Sequence, residues 1–459
     1  MRSVLAKAAG EWRKDLLLRR VTRNSSYLLA SNVISAVLSL VAAKLLGVAS
    51  FGVLGTTIGF VTAINQLLSF RMGDLVVRYL GEAVAKGEGE RGAAVVKAAG
   101  LAEGATSLLT YGLLLLLTPL ATQYIIKDAQ ASWLLPYYGL TILANITTET
   151  ATGVLQVGNK YRSQALINLV QAVLTAVIVG CAYATRAGLF VVVTAYLAGK
   201  LVSGLGPIVL AWIHLKKQLG PGWLRARFAL LPPWREMTRF GLSTNLSGTI
   251  NLFARNSEVL WVSFFFGPLQ AGYYKAALAI INLVIMPINP FISTSYPEIT
   301  RAVVTREWGR LRSLLRRVSL IAGGWTAAVG MGLVLLGWPV LFQPWTLPGG
   351  RQIWLYGAEY GPAYPVLLVL LVGFGFANIF FWNRSLLLAF DEPDYPLKVA
   401  FWAMLAKVAL AFVLVPKYGY LAEAGLLSLY FLVTVGLILW RGLAHLREQE
   451  VLETAGLKA

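Results

Sequence analysis

The chain has 459 residues, 57% of them hydrophobic and only 13% charged, with a mean hydropathy of +0.66. A soluble domain carries about 25% charged residues, so the composition excludes a soluble globular protein, a disordered chain and a coiled coil and fits a polytopic membrane protein. The net charge is +19; in a membrane chain such an excess reflects the positive-inside rule rather than nucleic-acid binding.

The first 25 residues carry no secretory signal, because no cleavable apolar core is followed by small residues. Val4, Leu5, Ala8, Ala9, Trp12, Leu16 and Leu17 recur near helical spacing, with Lys7, Arg13 and Lys14 between them. Residues 1–25 therefore read either as an interfacial amphipathic helix on the anionic inner leaflet or as a solvated tail.

A hydrocarbon core of about 30 Å needs roughly 20 apolar residues per helix. Twelve stretches meet this: 26–46, 53–77, 98–126, 132–158, 164–184, 188–213, 238–266, 271–297, 314–342, 362–390, 396–415 and 420–440. With both termini in the cytoplasm, 29 of the 40 Lys and Arg fall on cytoplasmic segments and five on outer loops and helix ends. That asymmetry supports the count of twelve. It places the chain as a multi-pass protein of the plasma (inner) membrane.

The longest polar break, 214–237, is rich in Gly and Pro and reads as a cytoplasmic linker. It separates an N-terminal six-helix lobe, 26–213, from a C-terminal one, 238–440, followed by a cytoplasmic tail, 441–459. The lobes resemble each other. Gly47-Val-Ala-Ser-Phe-Gly52 opens helix two and Gly267-Pro-Leu-Gln-Ala-Gly272 opens helix eight, at an offset of 220. Six helices is an even number, so both lobes enter the membrane with the same polarity, a parallel repeat about the membrane normal.

Catalytic chemistry has little to stand on. Cys181 is the one cysteine, the two histidines are His214 and His445, and no metal-ligand cluster, phosphate loop or nucleophile elbow is present. The chain is not expected to be an enzyme, to bind a metal or to hold a cofactor beyond Na⁺ or H⁺ as candidate coupling ions.

Charges inside the membrane are the informative feature. Each costs about 2.5–3.5 kcal/mol at the bilayer centre on insertion scales, and such residues usually face a bundle interior. The cations are Arg71, Lys200, Arg255, Lys275, Arg384 and Lys407; the anions within spans are Asp74, Glu103, Glu149 and Glu258. On helix seven Thr244, Gly248, Asn251, Arg255 and Glu258 step by four and three along one face. Asn145, Glu149, Thr152 and Gln156 on helix four, Gln164, Asn168, Gln171 and Thr175 on helix five, and Lys275, Asn282 and Asn289 on helix eight form further polar stripes. Pro287-Ile-Asn-Pro290 breaks helix eight. Bland alternatives stand beside these. Arg255 and Glu258 could neutralise each other, Asp74, Arg78 and Glu82 could form a salt-bridged stripe, Lys275 could snorkel to phosphates, and amide stripes often only join helices.

A cationic, amide-lined interior suits an amphiphile bearing phosphate. One cation at 4 Å contributes roughly 4 kcal/mol at an effective dielectric near 20, so two or three offset much of the dehydration of a pyrophosphate. On this reading Arg71, Arg255, Lys275, Lys407, Lys200 and Arg384 are candidates for the pyrophosphate and Asn251, Asn282, Asn145 and Gln171 for sugars. Glu258, Asp74 and Glu149 are candidates for ion coupling.

Lys44-Leu-Leu-Gly-Val-Ala-Ser-Phe-Gly52 is similar to the element after helix one of polysaccharide exporters in the multidrug/oligosaccharidyl-lipid/polysaccharide superfamily. Gly272-Tyr-Tyr-Lys-Ala-Ala277, Pro287-Ile-Asn-Pro290 with Pro297-Glu-Ile, and Leu386-Leu-Leu-Ala-Phe-Asp-Glu-Pro393 resemble later elements of the same Wzx-type flippases. The resemblance implies an all-α, V-shaped bundle of twelve helices in two pseudo-symmetric lobes around a central cavity. It implies transfer of a polyprenyl-pyrophosphate-linked oligosaccharide to the outer leaflet by alternating access, for O-antigen-like surface polysaccharide, with Arg71 and Arg255 as the counterparts of the cavity cations. Membrane lipids and polysaccharide polymerase machinery are the partners that go with it. A multidrug antiporter of the same superfamily needs a cavity carboxylate, which helix one lacks. A glycan polymerase or ligase needs a long outer loop with catalytic groups, whereas the longest outer connection, 343–361, holds only Arg351 and Glu359 as charges.

Overall fold

The computed structural model describes residues 16–69, 71–220, 222–346 and 352–454. Residues 1–15 of the expected interfacial segment, and Arg351, lie outside the described residues.

The described chain is almost wholly helical. The helices are α1 (Leu16–Leu68), α2 (Met72–Ala85), α3 (Gly89–Ala121), α4 (Leu134–Ala144), α5 (Thr148–Val157), α6 (Tyr161–Ala184), α7 (Leu189–Leu219), α8 (Trp234–Asn251), α9 (Glu258–Phe266), α10 (Pro268–Ile285), α11 (Asn289–Val304), α12 (Trp308–Phe342), α13 (Ala363–Ile379), α14 (Asn383–Ala389), α15 (Asp394–Tyr418) and α16 (Tyr420–Thr454). One two-residue antiparallel pairing, Trp345 with Ile353 and Thr346 with Gln352, follows α12.

Eight of the described helical stretches are long and apolar enough to cross a membrane. The first, Ala30–Leu68, is two crossings, because Gly47 sits at φ 68°, ψ 173° and turns the chain inside α1. Three more crossings are made by helix pairs whose halves fall short singly: α4 with α5, α8 with α9, and α10 with α11. These are the remainder of the twelve. The protein is an all-α polytopic membrane protein of about twelve transmembrane helices.

By packing, the chain divides into Val37–Lys275 and a second unit of Met1–Ala36 with Ala276–Ala459. The sequence repeat divides it by internal likeness at 214–237, which is a different property. That segment is not a loose tether. Trp223 is buried and meets the Trp212 ring edge-on at 5.4 Å, while the Lys97 ammonium lies 4.3 Å from the Phe228 ring and donates to the Ala226 carbonyl. Trp223 and Met237 join Leu75, Val76, Tyr79, Ala151, Val154 and Leu215 in one apolar core.

The glycine elements of the repeat meet each other inside Val37–Lys275. Gly267 has φ 101°, ψ −174°, the same left-handed, extended turn as Gly47; only glycine adopts it without a Cβ clash. One turn on, a methyl at Gly52 would overlap the Pro268 carbonyl and one at Gly272 would overlap the Val48 carbonyl. The backbones therefore touch, as small residues permit in membranes.

In the second unit, the α14–α15 connection is tied to α16 through one carboxylate. Glu392 accepts from Arg441 Nη2 at 2.8 Å and Nε at 3.2 Å, and its Oε1 lies 2.8 Å from His445 Nε2. The Arg441 guanidinium, ahead of the imidazole, pulls the Glu392 pKa down to about 2.

Two outcomes follow from these contacts. Gly52→Val should lower stability by about 1–3 kcal/mol, as overpacking does, read as a fall in the melting temperature of the purified protein; an unchanged melt would contradict the backbone contact. The Glu392 pKa lies below the unfolded value of about 4.3. Its contribution is therefore complete above that value and disappears as pH falls towards 2. Glu392→Gln should lower the melting temperature at pH 7 and flatten its decline between pH 5 and 3.

Candidate functional site

Among the described residues five of the twelve crossings are interrupted along their length, between Leu68 and Met72 and at 145–147, 252–256, 286–288 and 380–382. Pro287 and Pro290 account for the fourth, as the sequence implied. The others are not proline breaks. Arg71 ends α1's continuation in a left-handed conformation, φ 50°. A π-type turn at Leu252–Asn256 carries Arg255, a geometry that clusters at functional positions.

A broken helix leaves donors and acceptors that lipid does not satisfy. Within Val37–Lys275 side chains from neighbouring crossings satisfy several of them. The buried Glu103 accepts the N–H of Glu149 and of Thr150 at 2.8 Å each, capping α5 from α3. A carboxylate there also complements the positive end of the helix dipole. Thr148 Oγ1 donates to the Gly204 carbonyl at 3.0 Å. Asn245 Nδ2 donates to the carbonyls of Leu67 and Ser69, and Gln66 Nε2 to that of Gly248 at 2.9 Å. Ser69 Oγ in turn donates to Glu149 Oε1 at 2.7 Å, while Glu149 Oε2 is buried with no hydrogen-bond partner. The breaks of the second and fourth crossings are thus tied to each other and to α8 of the seventh.

The expected cations fare differently from one another. Arg71 is not a lone charge: its Nε lies 2.9 Å from Asp74 Oδ2, with both side chains about half exposed. The stripe expected below it re-pairs, since Glu82 joins Lys86 at 2.7 Å. Lys275 is also engaged. Its ammonium lies 4.2 Å from the Phe51 ring and 3.4 Å from the Phe51 carbonyl oxygen, beside Gly55. Lys407 forms an ion pair with Glu423 at 2.9 Å, side chains 3% and 0% exposed, so it answers a carboxylate of the twelfth crossing. Lys200 and Arg255 are exposed and make no ion pair with a described residue. Arg384 is exposed beside the break of the tenth crossing.

The continuous face expected along helix seven is corrected by the π turn. It rotates the register, so that Arg255 is exposed while Glu258 is buried, and the two do not neutralise each other. The Thr244 side chain lies outside the described residues. Of the amides, Asn251 and Asn145 donate within their own helices, to Ser247 and Thr141 carbonyls. Gln171 is half-buried on α6, and Asn282 is exposed on α10 in the second unit.

Sequence reasoning did not single out Ser69, Gln66, Asn245 and Glu423, and it noted Glu103 only as an anion. Partners of broken backbone carry no periodic signal of their own. The run Asn145-Ile-Thr-Thr-Glu149 held a usable hint, because β-branched and amide residues compete with helical hydrogen bonds.

A polysaccharide biosynthesis protein family model matches residues 21–303. The inner membrane protein YghQ of Escherichia coli K12 is 27% identical over 373 residues, spanning 78% of this chain and 98% of the relative. An inward-facing multidrug resistance MATE family transporter of the MOP superfamily superposes with TM-score 0.69 at 17% identity, covering 93% of this chain and 95% of that one. The lipid II flippase MurJ, in an inward closed conformation, gives 0.68 at 15% identity, covering 95% and 93%. A MOP superfamily transporter from Pyrococcus furiosus gives 0.62 at 15% identity, covering 94% and 96%. At these identities the solved structures share the fold.

The pairing of Lys407 with Glu423 makes a testable distinction. Lys407→Met alone strands a buried carboxylate and should cost about 3–5 kcal/mol. Lys407→Met with Glu423→Leu should restore most of that melting temperature and retain transport. A double variant that folds but has lost transport would return Lys407 to the substrate site.

Proposed function

The chain belongs to the polysaccharide biosynthesis protein family, and from that premise we propose that it is a flippase. It carries a polyprenyl-pyrophosphate-linked oligosaccharide from the cytoplasmic to the outer leaflet of the inner membrane, in the assembly of a surface polysaccharide such as O-antigen. Polymerase machinery on the outer face would receive the product.

One observation carries the reading. Arg255 is an exposed guanidinium at a π turn midway along an interrupted crossing, with no ion pair to a described residue. A guanidinium kept in a membrane against its insertion cost has a polar task, and its planar fork matches phosphate oxygens. Arg71, half exposed, exchanges its Asp74 contact for the pyrophosphate. Lys200 and Arg384 are secondary candidates, and Lys275 and Lys407, engaged by Phe51 and Glu423, rank below them. The free carbonyl face of Asn251, one turn from Arg255, and the exposed Asn282 meet sugar hydroxyls.

Alternating access runs between the lobes 26–213 and 238–440, with the lipid tail left in the bilayer. The interrupted crossings supply the hinges, because their breaks are held by side-chain hydrogen bonds that can be exchanged one for another. Glu149 is the favoured coupling carboxylate: a proton on its unpartnered Oε2 would remove a buried negative charge beside Ser69. Asp74 and Glu258 are less suited, the first paired with Arg71 and the second fully buried. No chemical step is assigned to the protein.

Arg255→Ala should abolish surface polysaccharide in cells that depend on this chain, with normal membrane insertion. Arg255→Lys should retain part of it, since the charge stays and the bidentate geometry goes. Full export by Arg255→Ala would remove Arg255 from the site.

A further inference from the structure

The second packing unit holds a cavity that the flippase reading does not use. Its volume is about 740 Å³, within the range of ligand sites. It lies between α12, α13 and α16 and is lined along one end by Arg312, Arg316 and Arg447. The Arg312–Glu450 ion pair fixes the start of α12 beside the end of α16, so the three guanidinium groups share one end of the bundle. Arg312 is thereby partnered; Arg316 and Arg447 are exposed and make no ion pair with a described residue.

Beyond the arginines the lining is apolar. Gly323 and Gly324 leave the α12 backbone bare, and a methyl on Gly324 would meet nothing within 4 Å. Phe380 and Trp382, at the break of the tenth crossing, form the opposite wall. The one hydroxyl of the lining, Ser319 on α12, already accepts from Trp382 Nε1 across the cavity at 2.7 Å. Beyond the arginines a sugar would find only this one hydroxyl, already engaged, and a cation would meet three positive charges.

We propose that this groove binds an anionic membrane phospholipid, its phosphate among Arg312, Arg316 and Arg447 and an acyl chain over Gly323 and Gly324. Charge complementarity selects the headgroup, and the bare glycine backbone makes room for the chain. The bound lipid braces the break at 380–382 on its open side. The site lies wholly within the second unit and does not depend on the identity of the transported substrate.

The test is native mass spectrometry of the full chain released from nanodiscs containing phosphatidylglycerol and phosphatidylethanolamine. Wild type should retain phosphatidylglycerol in preference to phosphatidylethanolamine. Arg316→Gln with Arg447→Gln, both at exposed positions, should reduce that retention roughly tenfold, at about one fivefold step or less per cation. Gly324→Phe, which fills the groove and leaves the charges intact, should reduce it as much. Equal retention of the two lipids, undiminished retention in both variants, or displacement of phosphatidylglycerol by a polyprenyl pyrophosphate at equal concentration would overturn the proposal.

Discussion

Hydrocarbon offers no water to a backbone that leaves the helical path, so each interruption must be answered by protein. This constraint governs the molecule. Glu103 is buried because α5 begins inside the membrane and needs two acceptors at its first turn. Asn245 and Gln66 exist as a reciprocal pair because α1 ends and α8 passes at the same level. The interruptions in turn deliver the charged residues. Arg71 and Arg255 both sit at positions where the α-helical register has been given up. A regular helix would have placed Arg255 and Glu258 on adjacent turns of one face, where they would cancel.

The intramembrane charges therefore sort into two kinds. Lys407 with Glu423, and Glu103 with two backbone N–H groups, are closed interactions whose partners come from neighbouring crossings. They stabilise or specify packing. Arg255, and Arg71 with its half-exposed Asp74, are open ones. Counting cations against anions along the chain does not separate these kinds; the separation depends on which helix lies opposite.

The number of crossings was legible in the sequence because apolar length is a one-dimensional property, and the twelve stretches correspond to the twelve crossings. The glycine turns at 47 and 267 were legible too, since a repeated turn needs the same residue in both places; that their backbones touch at Gly52 and Gly272 was not, because contact is a property of the pair. The Pro287–Pro290 break was visible from proline chemistry, whereas the π turn at Leu252–Asn256 was invisible, being made of residues that would equally suit a helix. The partner of Lys407 was hidden for a similar reason: Glu423 is 16 positions away on another crossing, beyond any helical spacing. Trp223, in a segment whose Gly and Pro suggested a linker, is buried while the segment keeps its short turns.

The transport reading stands on recognition of a phosphate-bearing headgroup by open cations in an otherwise apolar bundle. The most direct measurement places the purified chain in sealed vesicles with a polyprenyl-pyrophosphate disaccharide on one leaflet, and follows its access to a membrane-impermeant glycosidase on the other. The account predicts protein-dependent crossing of this lipid and none of the same disaccharide on an uncharged polyprenyl ether. Equal crossing of both, or of neither under an imposed proton or sodium gradient, would contradict it.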